Sequence, residues 1–388
     1  MRAAGMETVY LNTPGVKVHS EGKVLQVRQG REVLHTVFPF RTGTVVISPG
    51  VEITSRAIMT LLRNGINTVF VNSRGTSCGR LAGPTGSHVA TRMAQYRLLD
   101  DNQRCLAFCR AVVEGKVRNQ LVMAGRIGRF QKRDVSAAVA RMKHSLAGTG
   151  KAVHRNTLRG IEGACARAYF SIFDLGFTVT QGFTGRARRP PSDPVNALLS
   201  FLYMALLARV TAEIEQEGLD PYAGILHETG YCSPALALDL VEEFRTILAD
   251  TLVFSLFNLG IVTPDDFRTV AGEEPDEDDI FPDANPAGPD ALDDPMAAFS
   301  REDTLPAGAR RTVHTGRNRK PGSAAAVLLT GQGLKKVASQ LERKLEAEFT
   351  CPIDHTRISY RQAMARQVRR FKAFVHNERD AYEPLVMR

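Results

Sequence analysis

The chain is expected to be α+β, with a β-rich N-terminal domain followed by a larger all-α domain, and three observations carry that expectation. Its 388 residues exceed what one ordinary core encloses, so two domains are anticipated. Up to about residue 82, short runs of alternating apolar and polar residues are punctuated by Gly15, Gly22, Gly30 and Gly43, the pattern of strands and tight turns. From about Thr91 the apolar residues recur at helical spacing instead, and Gly and Pro become sparse.

Taken in order, strands are predicted at 8–11, 23–28, 33–38 and 44–47. A helix follows at 55–63, because Thr54 can cap its first turn and Asn64-Gly65 can end it. Strands at 68–72 and 78–81 flank a turn at 73–75, and a Gly/Pro linker over 81–86 closes a domain taken as 1–86. The second domain, 91–388, opens with Leu98, Leu99, Cys105, Leu106, Cys109, Val112, Val113, Val117 and Leu121 on a helical period. Further helices are predicted around 160–173, 194–217, 234–259, 330–349 and 359–377. The stretch from about 273 to 322 is rich in Pro, Asp, Ala and Gly, and reads as a mobile surface insertion.

Charge is uneven along the chain. The formal net charge is +9. Between Asp265 and Asp303 stand fourteen acidic residues against two arginines, so the remainder carries +21, the +9 of the whole plus the twelve charges this stretch cancels. A body so basic attracts polyanions, of which nucleic acid is the usual one; a merely basic soluble protein is the plainer alternative. No run of about 18 or more apolar residues is read, so no membrane span is expected, and the segment from Met1 to Thr8 lacks a signal-peptide core. The six cysteines, Cys78, Cys105, Cys109, Cys165, Cys232 and Cys351, form no CxxC motif and read as packing thiols of a cytoplasmic protein.

Several side chains could carry chemistry. Glu162 opens a helix rich in small residues, where an acid also serves as a helix-dipole partner. His227 follows the turn Gly218-Leu219-Asp220-Pro221 and could equally be structural. Asp239 and Glu242 lie three apart on a helix begun by Ser233-Pro234, embedded among Leu236, Leu238 and Leu240. Two carboxylates on a half-buried face repel each other unless something cationic intervenes. A divalent ion would do so, and so would a salt bridge to Arg245. Arg186, Arg188 and Arg189 precede a Pro-rich helix start with Asp193 as a cap, and Arg366, Arg369, Arg370 and Lys372 stripe the last long helix; both clusters suit DNA phosphates, or a solvated surface.

Five segments then matter by order and spacing: Gly160-Ile161-Glu162-Gly163 with Tyr169-Phe170; Arg189-Pro190-Pro191-Ser192-Asp193-Pro194-Val195-Asn196-Ala197-Leu198-Leu199-Ser200; Gly218-Leu219-Asp220-Pro221; Leu226-His227; and Ala237-Leu238-Asp239-Leu240-Val241-Glu242-Glu243-Phe244-Arg245. Together they resemble the Cas-one family of CRISPR-associated integrases through nearly the whole chain. The tail, Leu329-Thr330-Gly331-Gln332-Gly333, Arg361-Gln362-Ala363-Met364-Ala365-Arg366 and Tyr382-Glu383-Pro384, resembles its type I-C branch.

The resemblance implies a homodimer formed through the β-rich domain and a helical catalytic domain holding magnesium or manganese. Its Glu, His and acidic positions match Glu162, His227 and Glu242, with Asp239 a further acidic position beside them. It also implies double-stranded and branched DNA as substrate, a heterohexamer with the small Cas-two protein, and, in the type I-C setting, help from a Cas-four nuclease. The chemistry implied is phosphoryl transfer, in which a DNA 3′-hydroxyl attacks a phosphodiester of the repeat; a neutral His227 as ligand would make activity fall at acid pH. Two departures stand out: the acidic insertion is longer than the family pattern, and Glu242 stands where some relatives carry Asp. A DNA-binding scaffold without catalysis, and a transposon-type integrase of the same fold, are the rival readings.

Overall fold

The computed structural model describes residues 7–71, 77–81, 83, 88–187, 191–228, 233–270 and 325–387. The turn at 73–75, most of the 81–86 linker, Arg188, Arg189, Cys232 and the acidic insertion at about 273–322 lie outside the described residues.

The N-terminal part is two four-stranded sheets around one helix. Strands β1 (Glu7–Leu11), β5 (Thr42–Ile47) and β7 (Asn67–Val71) run parallel, and β8 (Ser77–Leu81) pairs antiparallel with β7. The second sheet takes β2 (Lys17–Glu21), β3 (Val24–Gln29), β4 (Glu32–Val37) and the short β6 (Glu52–Ile53) in the order β4-β3-β2-β6. Val9, Leu11, Val18, Leu25, Val27, Val45 and Ile47 alternate inward and bury a core shared with Ala57 and Leu61 of α1 (Ser55–Arg63). As expected, the Thr54 hydroxyl accepts the Ala57 N–H and caps α1. Strand β2 and the two-residue β6 were missing from the expected set, because β2 holds a single apolar residue, Val18, and β6 is too short to show alternation.

The second part is mostly helical: α2 (Val89–Asp100), α3 (Asn102–Gln131), α4 (Ser136–Ala147), α5 (Arg155–Phe170), α6 (Pro194–Gln216), α7 (Ala235–Phe244), α8 (Thr251–Asn258), α9 (Gly331–Glu346) and α10 (Tyr360–Val375). It is not purely helical. Strand β9 (Phe267–Val270) pairs with β10 (Ala326–Leu329), and β11 (Glu348–Thr350) with β12 (Arg357–Ser359), each pair antiparallel. The strands are too short for periodicity to reveal them.

Helix α3 is the axis of this core. Its thirty residues bury Cys105, Phe108, Cys109, Val112, Val113, Val117, Met123, Ala124 and Ile127 against α5, α7 and α4. Helix α6 is long and apolar enough, by length and composition, to cross a membrane, which corrects the expectation that no such stretch exists. The reason for its apolarity is visible in its contacts: it packs on α7, α8, α10 and β10, and a helix covered on several sides needs apolar residues around most of its circumference. Asp193 caps it through the Asn196 N–H at 2.8 Å.

Helices α7 and α8 form one rod joined by a π-helical turn, Arg245–Asp250. Such turns bulge the backbone outward and re-aim side chains. Here the turn presents Arg245 to the site and Asp250 to the interior.

Candidate metal centre

Three helices and one loop bring the expected residues together with one that was not expected, Lys116. Helix α3 supplies Lys116, α5 supplies Glu162, and α7 supplies Asp239 and Glu242, with His227 on the loop just before α7. Glu162 was expected in the first turn of its helix. It lies instead at mid-helix, because α5 begins at Arg155. That removes the helix-dipole role. Gly160, which suggested the helix start, is tolerated inside α5, and a Cβ there would meet nothing within 4 Å.

The loop carrying His227 is tightly bound to the start of α7. The Pro221 carbonyl accepts the Leu236 N–H at 2.9 Å, and the Gln95 side chain bonds Asp220 N–H, Asp220 C=O and Ala223 C=O at 2.8, 2.8 and 3.0 Å. Gly224 lies so close to α7 that a Cβ would fall 2.5 Å from Ala235, so only glycine fits. Pro234 sits at the helix boundary rather than inside the first turn, and no side chain caps α7.

Asp239 completes the arrangement. Fully buried, it accepts three consecutive backbone N–H groups, Ile225 at 2.7 Å, Leu226 at 3.0 Å and His227 at 2.9 Å, and contacts His227 Nδ1 at 2.7 Å. A carboxylate already accepting three donors is an acceptor toward the ring too, so Nδ1 carries the proton. The Nε2 lone pair is left facing Glu242, 3.8 Å from its Oε1. Asp239 is therefore turned to the loop and the imidazole, whereas Glu242 turns the other way. The two carboxylates that share a helix face are neutralised separately.

Glu242, 2% exposed, meets positive charge on both oxygens. Arg245 Nη1 lies 3.2 Å from Oε1, and Lys116 Nζ lies 2.7 Å from Oε2. Lys116 also hydrogen bonds Glu162 Oε1, so one ammonium bridges the two glutamates. Burial alone would push the Glu242 carboxyl upward, but the Arg245 and Lys116 charges outweigh it and hold Glu242 well below the usual carboxylate range. Lys116 is the reciprocal case: burial would lower its pKa, and the two glutamates raise it instead. The contact with Oε2 is one of charge rather than of a directed hydrogen bond, since Oε2 has no well-aligned donor. Among the described residues no three His, Cys, Asp or Glu side chains stand at ligating spacing; the lysine lies between the two acids.

The donor set nonetheless fits a hard divalent ion. Two carboxylates flank the Lys116 ammonium, an imidazole nitrogen stands 3.8 Å from one of them, the imidazole is oriented by a carboxylate behind it, and a buried glutamate oxygen lacks a directed partner. Glu162, Glu242 and His227 Nε2 are the groups that would hold it.

The family model for CRISPR associated protein Cas1 matches residues 9–274. The chain belongs to the Cas1 family. CRISPR-associated endonuclease Cas1 3 of Thermus thermophilus is 35% identical over 270 residues, covering 69% of this chain and 79% of that protein. A Cas4 exonuclease/Cas1 endonuclease fusion of Geobacter sulfurreducens is 28% identical over 393 residues, 98% of this chain and 60% of the fusion. Among solved structures, a casposase bound to its integration product superposes with a TM-score of 0.75 at 19% identity, covering 97% of this chain and 93% of that one. A Cas6-RT-Cas1–Cas2 complex gives 0.73 at 19% identity, 98% of this chain and 36% of the matched chain. Both structures share the fold, a β-rich start and a helical remainder.

In this Cas1 protein the basic clusters are largely engaged. Arg186 holds Asn196 Oδ1 at 2.8 Å and Ser200 Oγ at 3.0 Å, tying the 177–187 strap to α6. Arg366 pairs with Asp354 at 2.9 Å, Arg370 with the same carboxylate at 3.3 Å, and Arg369 with Glu217 at 2.8 Å, which also binds Lys372 at 3.2 Å. The expected stripe is thus a row of intramolecular ion pairs.

Sequence reasoning missed Lys116. The available signal was its place on the apolar stripe of α3, four residues after Val112 and one before Val117, where a charged side chain is buried only with partners. It also missed a network behind the site. Asp250 accepts the hydroxyls of Tyr169 at 2.9 Å and Tyr203 at 2.7 Å, and the Arg186 and Arg245 guanidiniums lie over the Tyr203 ring at 5.5 and 4.9 Å. Arg245, which holds Glu242, is thereby held itself.

Proposed function

We propose that this Cas1 protein is a metal-dependent DNA endonuclease and integrase that inserts captured DNA into a CRISPR array as new spacers. The observation that carries this reading is that Glu242 lies 3.8 Å from His227 Nε2 and is linked to Glu162 through the Lys116 ammonium, the three coming from two helices and a loop distant in sequence. Lys116 and Arg245 neutralise the two acids but leave the oriented imidazole without a role, and a scaffold that only bound DNA would have no use for that imidazole beside them.

Magnesium or manganese held there would polarise the phosphoryl oxygen and favour attack by a DNA 3′-hydroxyl. The chain's own contribution is positioning. Asp239 fixes the imidazole tautomer, Arg245 anchors Glu242, and the surplus positive charge of the body draws the DNA backbone in.

The assembly we propose is a homodimer joined through the β-rich domain and bound to a Cas2 dimer, with a Cas4 nuclease as helper in a type I-C-like system. Strand β4 supports the first part, since it is a sheet edge beside exposed Leu34, Phe38 and Phe40. The Cas1–Cas2 complex of similar fold and the Cas4/Cas1 fusion support the partners. Buried free thiols at Cys105, Cys109, Cys165 and Cys351 suit a reducing cytoplasm. The casposase likeness favours a second reading, a transposon-type integrase, which neighbouring genes decide.

The test is direct. Purified protein with manganese should nick and join branched DNA, and chelation should stop both reactions. Joining that persists in excess chelator would remove the metal from the reading.

A further inference from the structure

Lys116 is the one feature of the site that the proposed chemistry does not use. Its ammonium bridges Glu162 and Glu242, 2.7 Å from Glu242 Oε2, with the side chain 9% exposed. A hard divalent ion binds carboxylate oxygens at roughly 2.0–2.6 Å. A cation bridging the same two oxygens from within the chain therefore occupies overlapping space. The charge balance agrees, because Lys116 and Arg245 already offset Glu162 and Glu242, and an incoming divalent ion would leave a buried excess of two positive charges that the departure of one of them halves.

The structure also indicates which one moves. Arg245 contacts the other oxygen of Glu242, and its guanidinium is held over the Tyr203 ring at 4.9 Å. Lys116 has no such restraint on its head group, which is a point charge on a four-carbon stem. Its backbone is fixed, for Gly115 presses on the C-terminal tail so closely that a Cβ would lie 2.6 Å from Pro384. A swing of the side chain alone clears the site.

We propose that Lys116 is a resident counter-ion of the metal centre: its ammonium holds Glu162 and Glu242 together in the metal-free protein and is displaced by the divalent ion that binds there. This rests on the metal reading given above. It makes Lys116 a competitor of the ion, so removing the ammonium should tighten metal binding while weakening the metal-free fold.

The full-length protein and its Lys116→Met, Lys116→Gln and Lys116→Arg variants would be titrated with manganese, following the free ion by its paramagnetic resonance and the unfolding temperature with and without the ion. We expect Lys116→Met and Lys116→Gln to bind manganese about tenfold or more tightly than the parent, to unfold earlier without it, and to gain more from it. Lys116→Arg, which keeps the charge, should not tighten binding. Unchanged or weaker binding in both neutral variants overturns the proposal while leaving the metal reading in place. If the neutral variants are soluble only when prepared with manganese, the proposal is supported; if they are insoluble in either condition, the lysine is a permanent structural ion and the proposal fails. Absence of manganese binding in the parent and in every variant brings down the metal reading itself.

Discussion

Asp239 grips His227 at two points, accepting its backbone N–H at 2.9 Å and its Nδ1 hydrogen at 2.7 Å. The imidazole can neither rotate nor change tautomer without breaking that grip. Replacing the carboxylate by an amide, in Asp239→Asn, sets an NH2 group against a cluster of donors. Manganese affinity should fall roughly 10–100-fold, and unfolding free energy by about 1–3 kcal/mol. Manganese titration and chemical denaturation measure the two; unchanged affinity would deny Asp239 its positioning role.

Glu162→Ala, His227→Ala and Glu242→Ala should each abolish strand transfer. They should differ in stability. Glu242→Ala leaves Arg245 and Lys116 without their shared carboxylate, at a cost of about 3–5 kcal/mol, whereas His227→Ala should cost much less. Glu242→Gln, the nearer isostere, separates the loss of chemistry from the loss of fold. A variant with full strand transfer in a gel assay excludes its residue from the centre.

Asp250 should make stability depend on pH. Burial pushes its carboxyl up to about 6, against the opposing hydrogen bonds from Tyr203 and Tyr169. The folded pKa lies above the unfolded one, so this contribution is fully present below about 4 and is lost as pH rises toward 6. The size is on the order of 2–3 kcal/mol. Asp250→Asn lacks the titration, so its stability relative to the parent should improve between pH 4 and pH 7. Denaturation midpoints across that range provide the check, and parallel curves would refute the assignment.

The C-terminal tail should be an integral part of the helical core. Glu243 accepts the Tyr382 hydroxyl, the Leu385 N–H and the Gln367 amide, and Asn119 bonds both Leu385 and Met387. Ending the chain at Asp380 strands a buried carboxylate and should cost about 3–5 kcal/mol. Tyr382→Phe should cost about 1–3 kcal/mol. Urea denaturation distinguishes these values from the near-zero effect of trimming a loose end.

Arg366→Ala and Arg369→Ala should change DNA affinity less than tenfold and leave the salt dependence within about one unit of slope, because both guanidiniums already have carboxylate partners. A steeper loss, measured by salt-dependent binding, would show that DNA pulls those pairs apart.

Much of this was legible in the residues. Six of the eight strands of the first domain were read from short runs between turn residues, and α6, α9 and α10 begin within a residue or two of their expected starts; Asp193 was read as a cap, and the structure adds Thr330 and Ser359. The acids and the histidine drew attention by their context, but only the resemblance to the Cas-one family joined Glu162, His227 and Glu242 into one set. The lysine between the acids could not be placed, since contacts across 46 and more residues depend on how α3 crosses α5 and α7. The π turn was equally hidden, for 245–250 reads as uninterrupted helix and its extra residue is a property of the packing.

Strands β9 and β10 carry one more implication. Val270 and Ala326 are cross-strand partners, so the polypeptide departs from the helical body and comes back at a single doorway. The two ends of the intervening chain are therefore held side by side by the β9–β10 ladder. In closure entropy alone, a tight hairpin there would differ little from the long connection, since each doubling of loop length costs only about 0.6 kcal/mol.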